Sequence, residues 1–272
     1  MGILDWLKRR DSGADVSVAE LVERLRTGDP ATRAAAARRL GALGAESAEA
    51  AGALAEALAD PEKRVQLEAA DGLVKVGGDV ERAMAALVRL LADFDAALRR
   101  DAAVQIGRSA ERGAPAAPDL VRTLGDPDDE VVRAAASALL QVGRAAIPDL
   151  VAALKSGPPR VRAGAAATAA RIAPAAIPAF VEMTDSRDPT ERLIGALSLA
   201  DLVPADETLA LVLEALRHPD AFFRAWAART IGLFGPEVGS AATAPLTAAL
   251  EDGDGAVREA AAASLERVRP RA

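Results

Sequence analysis

The chain repeats one pattern of residues eight times, and this repetition restricts its fold more than any other feature. Four copies show it most clearly, with an acidic turn, an arginine, a small residue three positions later and an aliphatic residue seven positions later, as in DPDDEVVRAAASALLQVG (residues 126–143). Spacings of three and seven place the small and aliphatic residues on one helical face. The alignment puts the arginine column at Arg33, Leu67, Arg99, Arg133, Arg162, Arg192, Arg224 and Arg258.

The second repeat departs from this column, because Leu67 replaces the arginine and Arg64 matches only if the register slips by three. The aliphatic column that follows reads Leu40, Val74, Ile106, Leu140, Ala169, Leu199, Ile231 and Leu265. A small residue beside such a column lets the next helix approach closely. These helices are therefore predicted to stack on one another through this face.

A second apolar segment precedes each of these helices, and proline often opens it. Examples are APAAPDLVRTL, AAIPDLVAAL and AAIPAFVEM. Proline is tolerated in a first helical turn because its missing N–H would have no partner there. The apolar residues are mostly alanine, which favours closely packed helices. Each repeat is therefore predicted to be a helix, an acidic turn and a second helix.

Helix pairs of about 30 residues, with DP turns, VR opening the second helix and AxPxL in the first, resemble HEAT repeats. They are most similar to the short HEAT-like type first noted in bilin lyases. The resemblance covers residues 17–268 and implies an all-α fold, a right-handed α-solenoid (superhelix) of about eight HEAT-like helix pairs. Second helices would line its concave face. The predicted organisation is an N-terminal amphipathic segment and short linker over residues 1–16, then the HEAT-like repeat solenoid over residues 17–272.

Six repeats place an aspartate four residues before the arginine: Asp29/Arg33, Asp95/Arg99, Asp129/Arg133, Asp188/Arg192, Asp220/Arg224 and Asp254/Arg258. Such pairs can form a phosphate-binding ladder or structural ties between turns. The structural interpretation is favoured, because aspartate at the turn can cap the second helix and its carboxylate can bind the arginine of its own or an adjacent repeat. The resemblance also implies this role, since HEAT repeats carry an Asp/Arg ladder.

Charge and composition argue against several classes of partner. The formal net charge is −7, so the protein has no general attraction to nucleic acid. It has no cysteine, which fits a reducing compartment. No run reaches the roughly 18 apolar residues of a membrane span, and the start lacks the features of a secretory signal. The sequence therefore predicts a cytoplasmic protein.

Catalytic residues are scarce. Without cysteine, acid–base, nucleophilic and metal chemistry would depend on the single histidine, His218, which lies in a turn where other repeats have Asp or Glu. No serine stands in a Gly-x-Ser-x-Gly elbow, no plausible zinc ligand set is present, and no glycine-rich phosphate loop occurs. We therefore expect no enzyme activity, no cofactor, no metal and no small-molecule substrate.

The amino terminus, MGILDWLKRR, is the first candidate binding segment. Ile3 and Leu7 would share a helical face with Leu4 adjacent, and Trp6 precedes three basic residues. This segment could cap the apolar edge of the first repeat, bind a partner through Trp6, or attach to an anionic membrane. The sequence favours the cap and leaves the other two open.

The second candidate is DAFFRAW, residues 220–226, in a chain that is only 3% aromatic. Phe223 aligns with valines at a core position, and Phe222 stays undecided. Trp226 falls in a column of mixed polarity, so it either packs against the next repeat or projects into the groove. Arg229 lies one turn further along. Exposed tryptophan and arginine are typical interface anchors, so the partner-binding candidates are Trp226, Arg229, Phe222 and Trp6.

These features predict a non-catalytic scaffold or adaptor that binds a partner protein on the concave face of the solenoid. The groove is expected to be rich in alanine, which favours a close, apolar contact over electrostatic capture. An alternative from another class is an enzyme or accessory of the bilin-lyase kind, and a self-associating structural role is a third.

Overall fold

The structure, a computed structural model, describes residues 16–44, 48–200 and 202–269, with backbone alone for residues 173–176. Over these residues the chain is helical and has no strand, so the predicted all-α class is confirmed. It divides into two compact units, Met1–Val142 and Gly143–Ala272, here called the amino-terminal and carboxyl-terminal units. The boundary proposed after residue 16 stays a prediction, because residues 1–15 lie outside the described part.

The amino-terminal unit contains four helix pairs. A short 3-10 helix, Ala110–Ala116, leads into the fourth pair. The pairs are formed by α1 (Val18–Thr27) and α2 (Pro30–Leu43), α3 (Ala48–Ala57) and α4 (Lys63–Lys75), α5 (Val80–Leu90) and α6 (Ala96–Arg108), and α7 (Ala117–Thr123) and α8 (Asp129–Val142).

The carboxyl-terminal unit contains the other four pairs, and one long helix serves two of them. This helix, α10, bends by 116° between Pro159–Ile172, the second helix of the fifth pair, and Ile177–Thr184, the first helix of the sixth. The elements are α9 (Ile147–Ser156), α10 (Pro159–Thr184), α11 (Pro189–Leu199), α12 (Ala205–Ala215), α13 (Ala221–Phe234), α14 (Gly239–Ala249) and α15 (Gly255–Val268), with 3-10 turns at Gly143–Ala146 and Gly235–Val238.

The acidic turns begin the second helices, as the sequence predicts. A side-chain oxygen of the turn aspartate accepts a hydrogen bond from a backbone N–H in the first helical turn, which otherwise has no partner. In α13, for example, Asp220 accepts from the N–H of Phe222 at 2.9 Å. The same cap is made by Asp29, Asp95, Asp188 and Asp254.

In two repeats the predicted register is wrong by one residue. The capping aspartate of α8 is Asp128, not Asp129, so Val132 takes the place assigned to Arg133, and Leu139 is buried in place of Leu140. The second repeat shows the same shift. Its column residue is Gln66 rather than Leu67 or Arg64, because Gln66 donates to the turn carbonyl of Asp60 as the column arginines do.

Second helices of neighbouring pairs cross at very close range. A Cβ added at Gly41 of α2 would lie 2.5 Å from the Cα of Gly72 in α4, and one at Gly107 of α6 would lie 2.8 Å from the Cα of Ala138 in α8. In the carboxyl-terminal unit, a Cβ added at Gly232 of α13 would lie 2.5 Å from the hydroxyl oxygen of Ser264 in α15. Since backbone cannot move aside as a flexible side chain can, glycine is required at these crossings.

We expect Gly41→Ala to destabilise the amino-terminal unit by up to about 2 kcal/mol. Overpacking costs roughly 1–3 kcal/mol, which exceeds the gain of about 1 kcal/mol from replacing a helical glycine. Gly52→Ala is the matched control, because it lies in α3 with nothing within 4 Å of its added Cβ. It should be stabilising or neutral. Urea unfolding followed by circular dichroism measures both, and equal effects of the two variants would contradict the close crossing.

Arginine–aspartate pairs also connect consecutive helix pairs, which confirms the structural role predicted for the arginine column. In each pair, Nε and Nη2 of the arginine donate to both carboxylate oxygens. The pairs are Arg33–Asp60 (2.7 and 2.8 Å), Arg99–Asp126 (2.7 and 2.9 Å) and Arg224–Asp252 (2.8 and 2.9 Å).

The predicted acceptor is wrong in these three pairs, although Arg162 does pair with the capping Asp220 of another repeat. The arginine binds a different aspartate from the capping one. That aspartate lies in the next repeat, two residues before the residue that caps the second helix, as Asp252 lies before Asp254. Hydrogen bonds from Arg33 hold the pKa of Asp60 below its ordinary value, although burial opposes this shift. The ladder therefore uses one acidic residue for the cap and another for the tie.

Candidate functional site

The aromatic stretch forms the start of α13, and its three rings pack together. Phe223 is 1% exposed, which confirms its predicted core position. Trp226 is only 8% exposed, and its ring centroid lies 6.0 Å from that of Phe222 and 6.3 Å from that of Phe223. Of the two alternatives for Trp226, packing therefore accounts for most of its surface.

The remaining surface of Trp226 contributes to a groove on the second helices of the carboxyl-terminal unit. The groove has a volume of about 570 Å³. Its lining comes from α10 (Ala163, Ala166, Ala167, Ala170), α13 (Phe222, Trp226, Arg229, Thr230, Leu233) and α15 (Ala256, Glu259, Ala260, Ala263, Ser264, Arg267). We call it the α10/α13/α15 groove. Three of the four predicted binding candidates, Phe222, Trp226 and Arg229, meet here, whereas Trp6 lies outside the described residues.

Helical spacing explains this lining. Phe222, Trp226 and Leu233 lie at positions i, i+4 and i+11 of α13, so they form one stripe along the helix. Leu233 is 54% exposed, an unusual position for a large apolar side chain. The side chains from α10 are all alanine, and their small size leaves the space that the groove occupies. The alanine-rich, apolar groove predicted from the sequence is present in this unit.

The groove carries positive charge at its α13 and α15 sides. Arg229 forms no ion pair or hydrogen bond with any residue in the described ranges. Its side chain is exposed to solvent, and partial desolvation by neighbouring atoms lowers the pKa of its guanidinium. Arginine nevertheless stays protonated in proteins. Arg267 on α15 is exposed, and no ion pair with the described part of the chain involves it. Glu259, also on α15, is the acidic residue of the lining. The lining therefore has a net charge of about +1 in a protein whose net charge is −7.

Arg162 of α10 contacts Phe222, one of the residues that line the groove. Its guanidinium carbon lies 4.2 Å from the Phe222 ring centroid, and its Nη2 lies 2.6 Å from Asp220 Oδ2. Arg162 and Asp220 therefore form an ion pair. Arg162 makes this contact because the next turn offers Ser186 where the ladder would supply an aspartate. A cation over an aromatic face contributes about 0.5–2 kcal/mol.

The amino-terminal unit presents a charged face that the sequence interpretation missed. Arg38 of α2 donates through two nitrogens to Glu68 of α4 at 3.1 and 2.9 Å, and Arg64 of α4 donates to Asp101 of α6 at 2.6 Å. These residues border a cavity of about 310 Å³. The expectation of alanine-lined second helices is wrong for this unit. Charged residues at positions 64, 68, 71 and 75, spaced four, three and four apart, were the available signal.

His218 lies in the turn before α13, as predicted. Its Nδ1 accepts a hydrogen bond from the Asp220 backbone N–H at 3.1 Å, and its ring packs 4.6 Å from that of Phe223. Within residues 16–44, 48–200 and 202–269, no group of three or more His, Cys, Asp or Glu side chains could hold a metal ion.

One helical stretch, Asp129–Ser156, is long and apolar enough to cross a membrane by length and composition alone. The first half of that stretch is α8, in which Val131, Ala135 and Leu139 are buried in the helical core. Core helices of soluble proteins pass the same test, so the stretch is weak support for a membrane span.

Comparison with solved structures shows the same kind of fold. The chain is similar to Kap121p bound to Ste12p, with a TM-score of 0.54 and 14% identity, covering 92% of this chain and 33% of that chain. For Kap121p bound to Nup53p the TM-score is 0.53 at 14% identity, covering 91% and 33%. The chain thus spans about a third of the length of Kap121p and has the predicted α-solenoid fold.

A further similarity is to the complex of CpcE and CpcF of phycocyanin lyase from Nostoc sp. PCC7120. Here the TM-score is 0.42 at 19% identity, covering 94% of this chain and 96% of that chain, and it carries no argument about function. No curated protein matches the sequence. The family model described as HEAT repeats matches residues 18–107, 90–171, 115–201 and 177–266, which together extend over nearly all of the described chain. The protein belongs to the HEAT-repeat family.

Proposed function

We propose that the protein is a non-catalytic scaffold that binds a segment of a partner protein in the α10/α13/α15 groove. The observation that carries this proposal is an open groove of about 570 Å³ with an apolar stripe, an alanine floor and an arginine that has no partner among the described residues. Grooves that combine apolar surface with a few polar anchors are typical binding sites. The stacked helix pairs of a HEAT-repeat protein hold these side chains on rigid elements.

The lining supports binding rather than chemistry. Its polar side chains are two arginines, Thr230, Ser264 and a single carboxylate, Glu259. Nucleophilic catalysis requires a nucleophile that an adjacent base activates, and His218 is not part of the groove. The proposed partner is therefore a protein, with no cofactor. Among the contacts of residues 16–44, 48–200 and 202–269, none favours the bilin-lyase alternative.

Filling the groove tests this proposal. Ala263 and Ala262 are neighbouring exposed residues of α15, but only Ala263 lines the groove. We expect Ala263→Arg to weaken binding by about tenfold or more, because an arginine side chain would occupy the site, whereas Ala262→Arg should bind as the original protein does. Both should keep the original melting temperature.

The measurement has two steps. The protein, with a photo-crosslinking residue at the exposed position 233, first captures its partner from an extract of cells that produce it. The affinity of the identified partner is then measured for the original protein and for both α15 variants. Equal affinity for the Ala263→Arg and Ala262→Arg variants would show that the groove is not the binding surface.

A further inference from the structure

We infer that the occupant of the α10/α13/α15 groove is an amphipathic α-helix of the partner whose apolar face is bordered by carboxylates. This inference rests on the proposed function, since it names the chemistry of the segment that the same groove binds. It follows from the hydrogen-bonding capacity, the length and the charge of the lining.

The helical conformation follows from hydrogen bonding. An extended peptide in an apolar groove needs partners for its backbone N–H and C=O groups. The lining consists mainly of alanine and aromatic or aliphatic side chains on α-helices, whose own backbone groups are already bonded within those helices. Its two hydroxyl residues, Thr230 and Ser264, are both 2% exposed. A helical segment bonds its own backbone internally, so it can bury a face here without leaving those groups unpaired.

The apolar stripe matches a short helix in length. Phe222 and Leu233 are eleven residues apart on α13, which corresponds to about 16 Å at 1.5 Å per residue. That distance accommodates about three turns of a second helix. Leu233, exposed at one end, and Phe222, half-buried at the other, would both contact apolar side chains at i, i+3, i+4 and i+7 of the occupant. Alanines on α10 and α15 leave room for side chains larger than their own.

The carboxylates of the bound helix are inferred from two side chains of the groove whose hydrogen-bond donors have no acceptor in the described part of the chain. The Arg229 guanidinium and the Trp226 indole N–H lie one turn apart on α13, and neither donates to any residue in the described part of the chain. Arg229 is exposed, and a carboxylate in the groove would accept charge-assisted hydrogen bonds from its guanidinium. Arg267 on α15 offers a second exposed cation beside the same groove. A basic helix could form an ion pair only with Glu259, the one acidic residue of the groove lining.

Two synthetic peptides test the inference directly. Both are 15-residue helices with leucines along one face. One carries glutamates at the positions that border this face, and the other carries lysines there. In fluorescence anisotropy at low salt, we expect the glutamate peptide to bind about tenfold or more tighter than the lysine peptide. The difference should shrink as the salt concentration rises, because part of it arises from exposed charges.

Charge reversal on the protein supplies the control. Arg229→Glu should abolish or reverse the preference, whereas Arg187→Glu, the same charge change in an exposed turn outside the groove, should leave it unchanged. Trp226→Phe, which keeps an aromatic ring but removes the N–H, should weaken the glutamate peptide alone. Equal binding of both peptides, or binding of neither, would overturn the inference. The proposed function would still stand if Ala263→Arg reduces binding of the natural partner.

Discussion

Replacing Trp226 with alanine should lower the free energy of unfolding of the carboxyl-terminal unit by about 3–5 kcal/mol, the usual cost of removing a large buried aromatic side chain. Trp226 is 8% exposed, and its ring contacts both neighbouring phenylalanines. The small alanines around the groove cannot fill the space that the indole leaves. Chemical denaturation followed by far-UV circular dichroism measures the loss.

Leu233→Ala is the control for this prediction. It removes another large apolar side chain from the same helix and the same groove, but Leu233 is 54% exposed, so we expect a loss below about 1 kcal/mol. If Trp226→Ala lowered the free energy of unfolding as little as Leu233→Ala, the indole would not stabilise the fold, and only a role in binding would be left for it. The expected instability also means that Trp226→Ala cannot test binding by itself, which is why Trp226→Phe and Ala263→Arg are preferred.

The helix pairs were predictable because their signals are local. Spacings of three and seven define the buried face, and an aspartate followed by an apolar helix defines its start. Five of the six aspartates placed before an arginine do cap a helix. The one-residue error at Arg133 arose because both Asp128 and Asp129 lie before that helix, and the alignment followed the arginine to Asp129. The cap at Asp128, rather than the arginine, fixes where that helix begins.

The groove was only partly predictable. The spacing of Phe222, Trp226 and Arg229 along α13 indicates a shared face, but the approach of α10 to these rings depends on packing between distant repeats. That approach is possible because α11 is buried on every side from Leu193 to Leu199 and leaves no side chain in the groove. Its sequence, LIGALSL, is apolar all round, which is typical of a fully buried helix.

The sequence predicted that arginine–aspartate pairs connect the repeats, but it did not predict which aspartate takes part. Each turn offers two, and the sequence does not show which of them faces the arginine of the preceding repeat. The structure identifies the aspartate that precedes the cap. Arg99 and Asp126 form the least exposed of these pairs, with side chains 12% and 8% exposed. Arg99 also donates to the backbone carbonyls of Asp93 and Phe94 at 2.7 and 3.0 Å. All of its donor nitrogens are therefore engaged within the turn region.

Arg99→Ala should consequently destabilise the amino-terminal unit by about 2–3 kcal/mol. Removing one partner leaves the Asp126 carboxylate largely buried without its cation, which costs about 3–5 kcal/mol when the pair is fully buried. The residual contact of this pair with water reduces the expected loss. Urea unfolding at neutral pH and low salt measures it, because both side chains are then ionised.

Arg133→Ala is the matched control, since the sequence places Arg133 in the same column. In the structure its side chain is 69% exposed and pairs with Glu130 in its own turn. Exposed pairs of this kind contribute about 0–1 kcal/mol, so Arg133→Ala should be nearly neutral. Similar losses for both arginines would mean that position in the repeat, rather than the bidentate bond to the next turn, determines the contribution. A large loss for Arg99 alone would show that the ladder depends on the aspartate that precedes the capping residue in each turn.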